Sequence, residues 1–141
     1  MIFRTDLVPE YLKHEVEIKE AIAAVLLSGR YTLFEKVEMF EKEFAYYNGM
    51  DYCLGVANGT DAIILALKAC GIERGDEVIT TPYTAFATIS AIISVGAKPV
   101  FVDVCADSYL LNIEGVMDAI GPKTKAVVAV HLFGNVVDIQ G

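Results

Sequence analysis

The chain has 141 residues, 55% hydrophobic and 21% charged, too apolar for a disordered chain and enough for the core of one domain. Lys and Arg number 11 against 19 Asp and Glu, a formal net charge of −8 with no basic cluster, which argues against nucleic acid and anionic membranes as partners. No apolar run is long enough to span a bilayer, and Met1–Asp6 lacks the basic start and apolar core of a signal peptide, so the sequence predicts a cytoplasmic protein without membrane partners.

In chain order, the first predicted element is a helix from about Glu10 to Ser28. Leu12, Val16, Ile18, Ile22, Val25 and Leu26 form its broad apolar stripe, and Ser28-Gly29 ends it. Arg30-Tyr31-Thr32-Leu33 reads as a loop or a short extended piece. A second helix is predicted from about Glu35 to Tyr47, with Val37, Phe40, Phe44 and Tyr47 on one face and Asn48-Gly49 as its stop. Strand and helix then alternate. The predicted strands are Tyr52–Ala57, Glu77–Thr81, Lys98–Val104 and Lys125–His131. The helices between and after them are Gly59–Cys70, Thr84–Val95 and Asn112–Ile120. Such alternation gives a mostly parallel sheet with flanking helices, the α/β class. Apolar strand cores such as Val127-Val128-Ala129-Val130 fit a sheet covered on both faces. Two portions follow: a helical arm over 1–49 and an α/β part over 50–141. The chain stops at Gly141 just after a predicted strand with no closing helix, so the sequence reads as the first part of a longer protein.

Cys53, Cys70 and Cys105 are odd in number and widely spaced. Cys53 and Cys70 lie among apolar residues and are expected to be small core side chains. With only His14 and His131 beside them, no metal site can be read.

The informative stretch is Gly55-Val56-Ala57-Asn58-Gly59-Thr60-Asp61-Ala62, a strand-to-helix corner. Asn58 is a good N-cap, Gly59 permits close backbone approach, and Thr60 and Asp61 fall in the first helical turn. Free N–H groups and the positive end of the helix converge there, which suits a phosphate. A well-capped corner with no ligand fits the same residues. Ligands of open parallel sheets bind beyond the carboxyl ends of the strands. Those ends read Asn58-Gly59-Thr60, Tyr83-Thr84, Asp103 and His131, which suits a phosphorylated, flat, aromatic ligand. Tyr83 can stack on a ring or serve as a rim or dimer contact; Asp103 can cap a turn; His131 can be a structural hydrogen-bonder. Neither G-x-G-x-x-G nor G-x-x-x-x-G-K-[ST] occurs, which disfavours an ordinary nucleotide-binding module.

Five segments occur in order: Gly55–Ala62, Gly75-Asp76-Glu77-Val78-Ile79, Thr84-Ala85-Phe86-Ala87-Thr88, Gly96–Val104 and Val130-His131-Leu132-Phe133-Gly134. Together they make the chain resemble the DegT–StrS family of pyridoxal-phosphate aminotransferases that act on nucleotide-linked keto sugars. The resemblance runs from Ser28-Gly29 to the end. It implies the N-terminal portion of the large domain of the aspartate-aminotransferase fold, the cofactor pyridoxal 5′-phosphate, and a homodimer with sites at the subunit interface. It also implies an amino donor, glutamate by analogy, and a place in cell-surface polysaccharide or antibiotic sugar biosynthesis. On the family pattern, Gly59 and Thr60 hold the cofactor phosphate, and Asp61 supports that turn. The region Tyr83–Phe86 supplies the aromatic that stacks on the pyridine ring, with Tyr83 favoured over Phe86. His131 lies near the cofactor, and Arg30 and Tyr31 border the sugar-nucleotide pocket. The family's cofactor-anchoring Lys and its pyridine-nitrogen Asp match no residue of this chain; Lys98, Lys123 and Lys125 do not fit the Lys motif. The 141 residues are therefore expected to be inactive alone. The rival readings are a sugar dehydratase of the same fold lacking that Lys, and a non-catalytic or regulatory member.

Overall fold

The computed structural model describes residues 6–139. The chain divides into two compact units, Met1–Gly55 and Val56–Gly141.

The first unit is helical: α1 (Val8–Lys13), α2 (Glu15–Ser28) and α3 (Glu35–Tyr47). The single helix expected from Glu10 is split at His14, whose N–H turns back to Tyr11 O instead of continuing the α ladder. Gly29 ends α2 in the left-handed conformation at φ 69°. Gly49 (φ 66°) lets the chain reverse after α3, so that Met50 N–H reaches Ala45 O at 2.9 Å. Among the described residues of this unit Ala45 is the one buried hydrophobic, while Val16, Ile22 and Leu26 stay exposed. The predicted strand over 52–57 is not formed. Tyr52 and Leu54 are exposed, the Gly55 N–H donates to Glu41 Oε1 at 2.6 Å, and no strand among the described residues pairs with the segment. An extended segment becomes a strand only when a neighbour takes its ladder hydrogen bonds.

The second unit is α/β: α4 (Gly59–Ala69), β1 (Glu77–Thr80), α5 (Phe86–Ser94), β2 (Lys98–Phe101), α6 (Ile113–Ala119) and β3 (Thr124–Val127). The three strands are all parallel in the order β2-β1-β3. β1 is central, and its consecutive residues Val78 and Ile79 are both fully buried on opposite faces. Val78 packs with Leu67, Ile72, Ile92 and Ala97; Ile79 packs with Val102, Leu111, Val116 and Val137. Thr80, also buried, is satisfied by donating from its hydroxyl to Val128 O at 3.0 Å. The flanking strands are shorter than expected and half-exposed, with Phe101 and Val127 facing out, so burial on both faces holds for β1 alone. α5 starts two residues later than expected because Thr84 joins the preceding turn and its hydroxyl bonds that of Thr88 at 2.9 Å. The cysteine expectation fails: Cys70 is exposed at the end of α4 and Cys53 is only half-buried.

Candidate functional site

The corner before α4 is built by its own sequence. Asn58 is extended at the N-cap; its Oδ1 accepts the Asp61 N–H at 2.9 Å, and its Nδ2 donates to Asp61 Oδ2 at 3.0 Å. The Ala62 N–H closes the first helical bond on Asn58 O at 3.1 Å. This leaves the N–H groups of Gly59 and Thr60 without a hydrogen-bond partner among the described residues, at the positive end of an 11-residue helix. A Cβ placed on Gly59 would meet nothing within 4 Å, and its φ is not left-handed. Neither crowding nor conformation within this chain calls for glycine there. The corner is uncrowded at Gly59 and leaves two amide donors at a helix N-terminus, the kind of position that attracts anions.

A second cluster forms where the strands end. After β1, the chain turns through Thr81-Pro82-Tyr83, and the Tyr83 N–H is held by the buried Thr81 hydroxyl at 3.1 Å. Tyr83 meets Tyr109, from the loop after β2, at 6.0 Å between ring centroids. It meets Phe133, from the loop after β3, at 6.3 Å, and those two rings meet edge-on at 6.1 Å. Pro82, Tyr83, Asp103, Val104 and Tyr109 line a hollow of about 410 Å³. Tyr83, Thr84, Leu132 and Phe133 line a smaller one of about 130 Å³. Tyr109 (φ 59°) and Phe133 (φ 56°) both hold the left-handed backbone region, which costs a bulky residue about 1–3 kcal/mol.

The other expected site residues are placed as follows. Phe86 opens α5 and is 80% exposed. His131 follows β3; its Nδ1 accepts the N–H of Val137 at 3.1 Å, which puts the proton of the neutral ring on Nε2 and leaves that nitrogen as a donor. Asp103 accepts the Val104 N–H through Oδ1 and lines the larger hollow. Arg30 and Tyr31 lie in the helical unit. Arg30 pairs with Glu35 at 3.0 Å and stacks over the Phe34 ring at 5.7 Å. The Tyr31 hydroxyl donates to Leu26 O at 3.1 Å. The Glu35 carboxyl is held below the usual carboxylate range, first by its own backbone N–H and then by the Arg30 guanidinium. Sequence reasoning missed Tyr109 and Asn135. Their signal was the pair of turns Asp107-Ser108-Tyr109 and Phe133-Gly134-Asn135, which carry rings at positions that favour Asn or Gly.

Comparison with known proteins gives the family and the fold. The DegT/DnrJ/EryC1/StrS aminotransferase family matches residues 13–141. A dTDP-3-amino-3,4,6-trideoxy-alpha-D-glucose transaminase of Micromonospora megalomicea subsp. nigra is 46% identical over 130 residues, 92% of this chain and 35% of that protein. The crystal structure of S. venezuelae DesV superposes with a TM-score of 0.90 at 44% identity, over 94% of this chain and 36% of that one. A GDP-4-keto-6-deoxymannose-3-dehydratase with a trapped PLP-glutamate geminal diamine superposes with a TM-score of 0.79 at 30% identity, over 84% and 32%. The chain thus spans about a third of the length of the relatives it matches. The α/β unit has the fold of these enzymes, and the chain belongs to the DegT/DnrJ/EryC1/StrS aminotransferase family.

Proposed function

We propose that this chain forms part of a pyridoxal-phosphate-dependent aminotransferase that moves an amino group, from glutamate, to a nucleotide-linked keto sugar. The observation that carries the reading is the open corner at α4, where two unpartnered amides and an uncrowded Gly59 sit in a member of this family. The Gly59 and Thr60 amides and the Thr60 hydroxyl hold the cofactor phosphate, and Asp61 fixes the turn through Asn58. Tyr83 offers its ring as the stacking face for the pyridine; Phe86 lies one turn further on. His131 donates from Nε2 towards the cofactor pocket, and Arg30 and Tyr31 border the sugar nucleotide. The bound cofactor supplies an electron sink for the amino carbon, and these residues bind it, orient it and screen it from water.

The active protein is a cytoplasmic homodimer in this reading, and the exposed apolar side chains of α1 and α2 support a second copy as their cover. No lysine here matches the family's anchoring lysine, so in this reading the 141 residues alone do not turn over. The dehydratase neighbour supports a second reading, loss of water from the sugar in place of amination.

The test is to incubate the full-length gene product with pyridoxal phosphate, glutamate and a series of dTDP- and UDP-linked keto sugars. An amino sugar and 2-oxoglutarate are the expected products. A deoxygenated keto sugar selects the dehydratase, and failure to bind the cofactor at all overturns both.

A further inference from the structure

The two aromatic residues beside Tyr83 sit where a residue chosen only for the backbone would not be aromatic. In the turn Leu132-Phe133-Gly134-Asn135, the Asn135 N–H closes on Leu132 O at 2.9 Å, and both central residues have positive φ, 56° and 83°. This mirror-image turn favours Asn, Asp or Gly at its first central position, yet that position holds Phe133, which is 66% exposed and so is not there to fill the core. Tyr109 repeats the anomaly at φ 59° and 48% exposure. The two turns are also tied together: Asn135 Nδ2 donates to Ser108 O at 3.2 Å, the carbonyl of the peptide that leads into Tyr109. What the strained pair does in common is contact the Tyr83 ring, at 6.0 and 6.3 Å between centroids, while touching each other at 6.1 Å.

We propose that Tyr109 and Phe133 are positioning residues: braced by the Asn135–Ser108 hydrogen bond, they set the plane of the Tyr83 ring so that it is ready to stack on the flat cofactor. The inference rests on the reading of Tyr83 given above. A ring with one free face and no bracket samples several rotamers, and each binding event must then restrict it. Tilted contacts from two neighbours that themselves meet edge-on remove that freedom beforehand.

The experiment uses the full-length gene product and pyridoxal phosphate as probe, read by cofactor affinity, visible circular dichroism of the bound cofactor, and Tm. Tyr109→Gly and Phe133→Gly relieve the left-handed strain, so Tm is expected to hold or rise. Cofactor affinity is expected to fall about two- to tenfold, the size of an aromatic pair contribution, with a weaker dichroic band. Tyr109→Phe and Phe133→Tyr keep the wild-type values. Asn135→Ala shows a smaller loss of the same kind. In a Tyr83→Ala background, Tyr109→Gly causes no further loss. The inference is overturned if Tyr109→Gly and Phe133→Gly retain wild-type affinity and dichroism, or if they lose the same factor in the Tyr83→Ala background. A Tyr83→Ala variant that weakens binding while the glycine variants do not defeats this inference alone. A Tyr83→Ala variant that binds normally defeats the stacking reading and this inference with it.

Discussion

Asn58 and Asp61 hold each other across the first turn of α4 by two hydrogen bonds, one to the Asp61 backbone at 2.9 Å and one between the side chains at 3.0 Å. The cap consumes the third amide of the helix and leaves the first two without a partner among the described residues. Asn58→Ala is expected to lower stability by about 1 kcal/mol, the cost of a lost N-cap, and to weaken cofactor binding as well. Asn58→Asp keeps the backbone cap but places a second carboxylate beside Asp61, so it should restore much of the stability and little of the affinity. Thermal unfolding with and without pyridoxal phosphate separates the two effects; equal recovery of both by Asn58→Asp would contradict the assignment.

Gly59 is the sharpest test of whether the corner is kept for something outside the chain. Its added Cβ meets nothing within 4 Å, and alanine is a better helix residue by up to about 1 kcal/mol. Gly59→Ala should therefore leave the ligand-free protein as stable as before or slightly more so. A clear loss of Tm in the absence of any ligand would mean that the glycine serves the fold.

His131 accepts from the backbone of Val137, a residue 3% exposed. Removing the ring strands a buried N–H, so His131→Ala should cost about 1–3 kcal/mol. Asn can present its side-chain oxygen near the place of Nδ1 but not a donor at the place of Nε2. His131→Asn is expected to recover much of the stability while activity stays low. Recovery of both would reduce His131 to a structural hydrogen-bonder.

Much of this could be read from the sequence, and the parts that could not share a cause. α3 was legible to the residue because its apolar face, acidic start and Asn48-Gly49 stop are local signals. The Asn58 and Asn112 caps were legible for the same reason: each side chain accepts an amide three residues on. The strand over 52–57 was misread because its composition suits a strand, while pairing depends on a neighbour that composition does not reveal. Cys70 was misread because an apolar helix says nothing about which of its sides is covered. The aromatic trio was hidden because Tyr83, Tyr109 and Phe133 are spread over 51 positions of sequence and meet only through the parallel order β2-β1-β3.

Glu35 gives a pH prediction with a fixed sign. Its carboxyl lies below its ordinary range in the folded chain, so its contribution to stability is present above the unfolded value and is lost as pH falls through the folded one. The Arg30–Glu35 pair is more than half exposed on both sides, so the effect is small. Glu35→Gln should be slightly less stable than wild type near neutral pH, and the Tm difference should vanish in acid below the carboxylate range. A difference that widens on acidification would contradict the pairing.

The central claim is that the Gly59–Thr60 amides and the Thr60 hydroxyl carry the phosphate of the cofactor. The direct measurement compares the affinities of the full-length gene product for pyridoxal phosphate and for pyridoxal, which lacks the phosphate, in wild type, Gly59→Ala and Thr60→Val. The account predicts that both variants lose affinity for pyridoxal phosphate, about tenfold for the lost hydroxyl bond to a charged group, while their affinity for pyridoxal is unchanged. Equal losses for both compounds, or none for either, would contradict it.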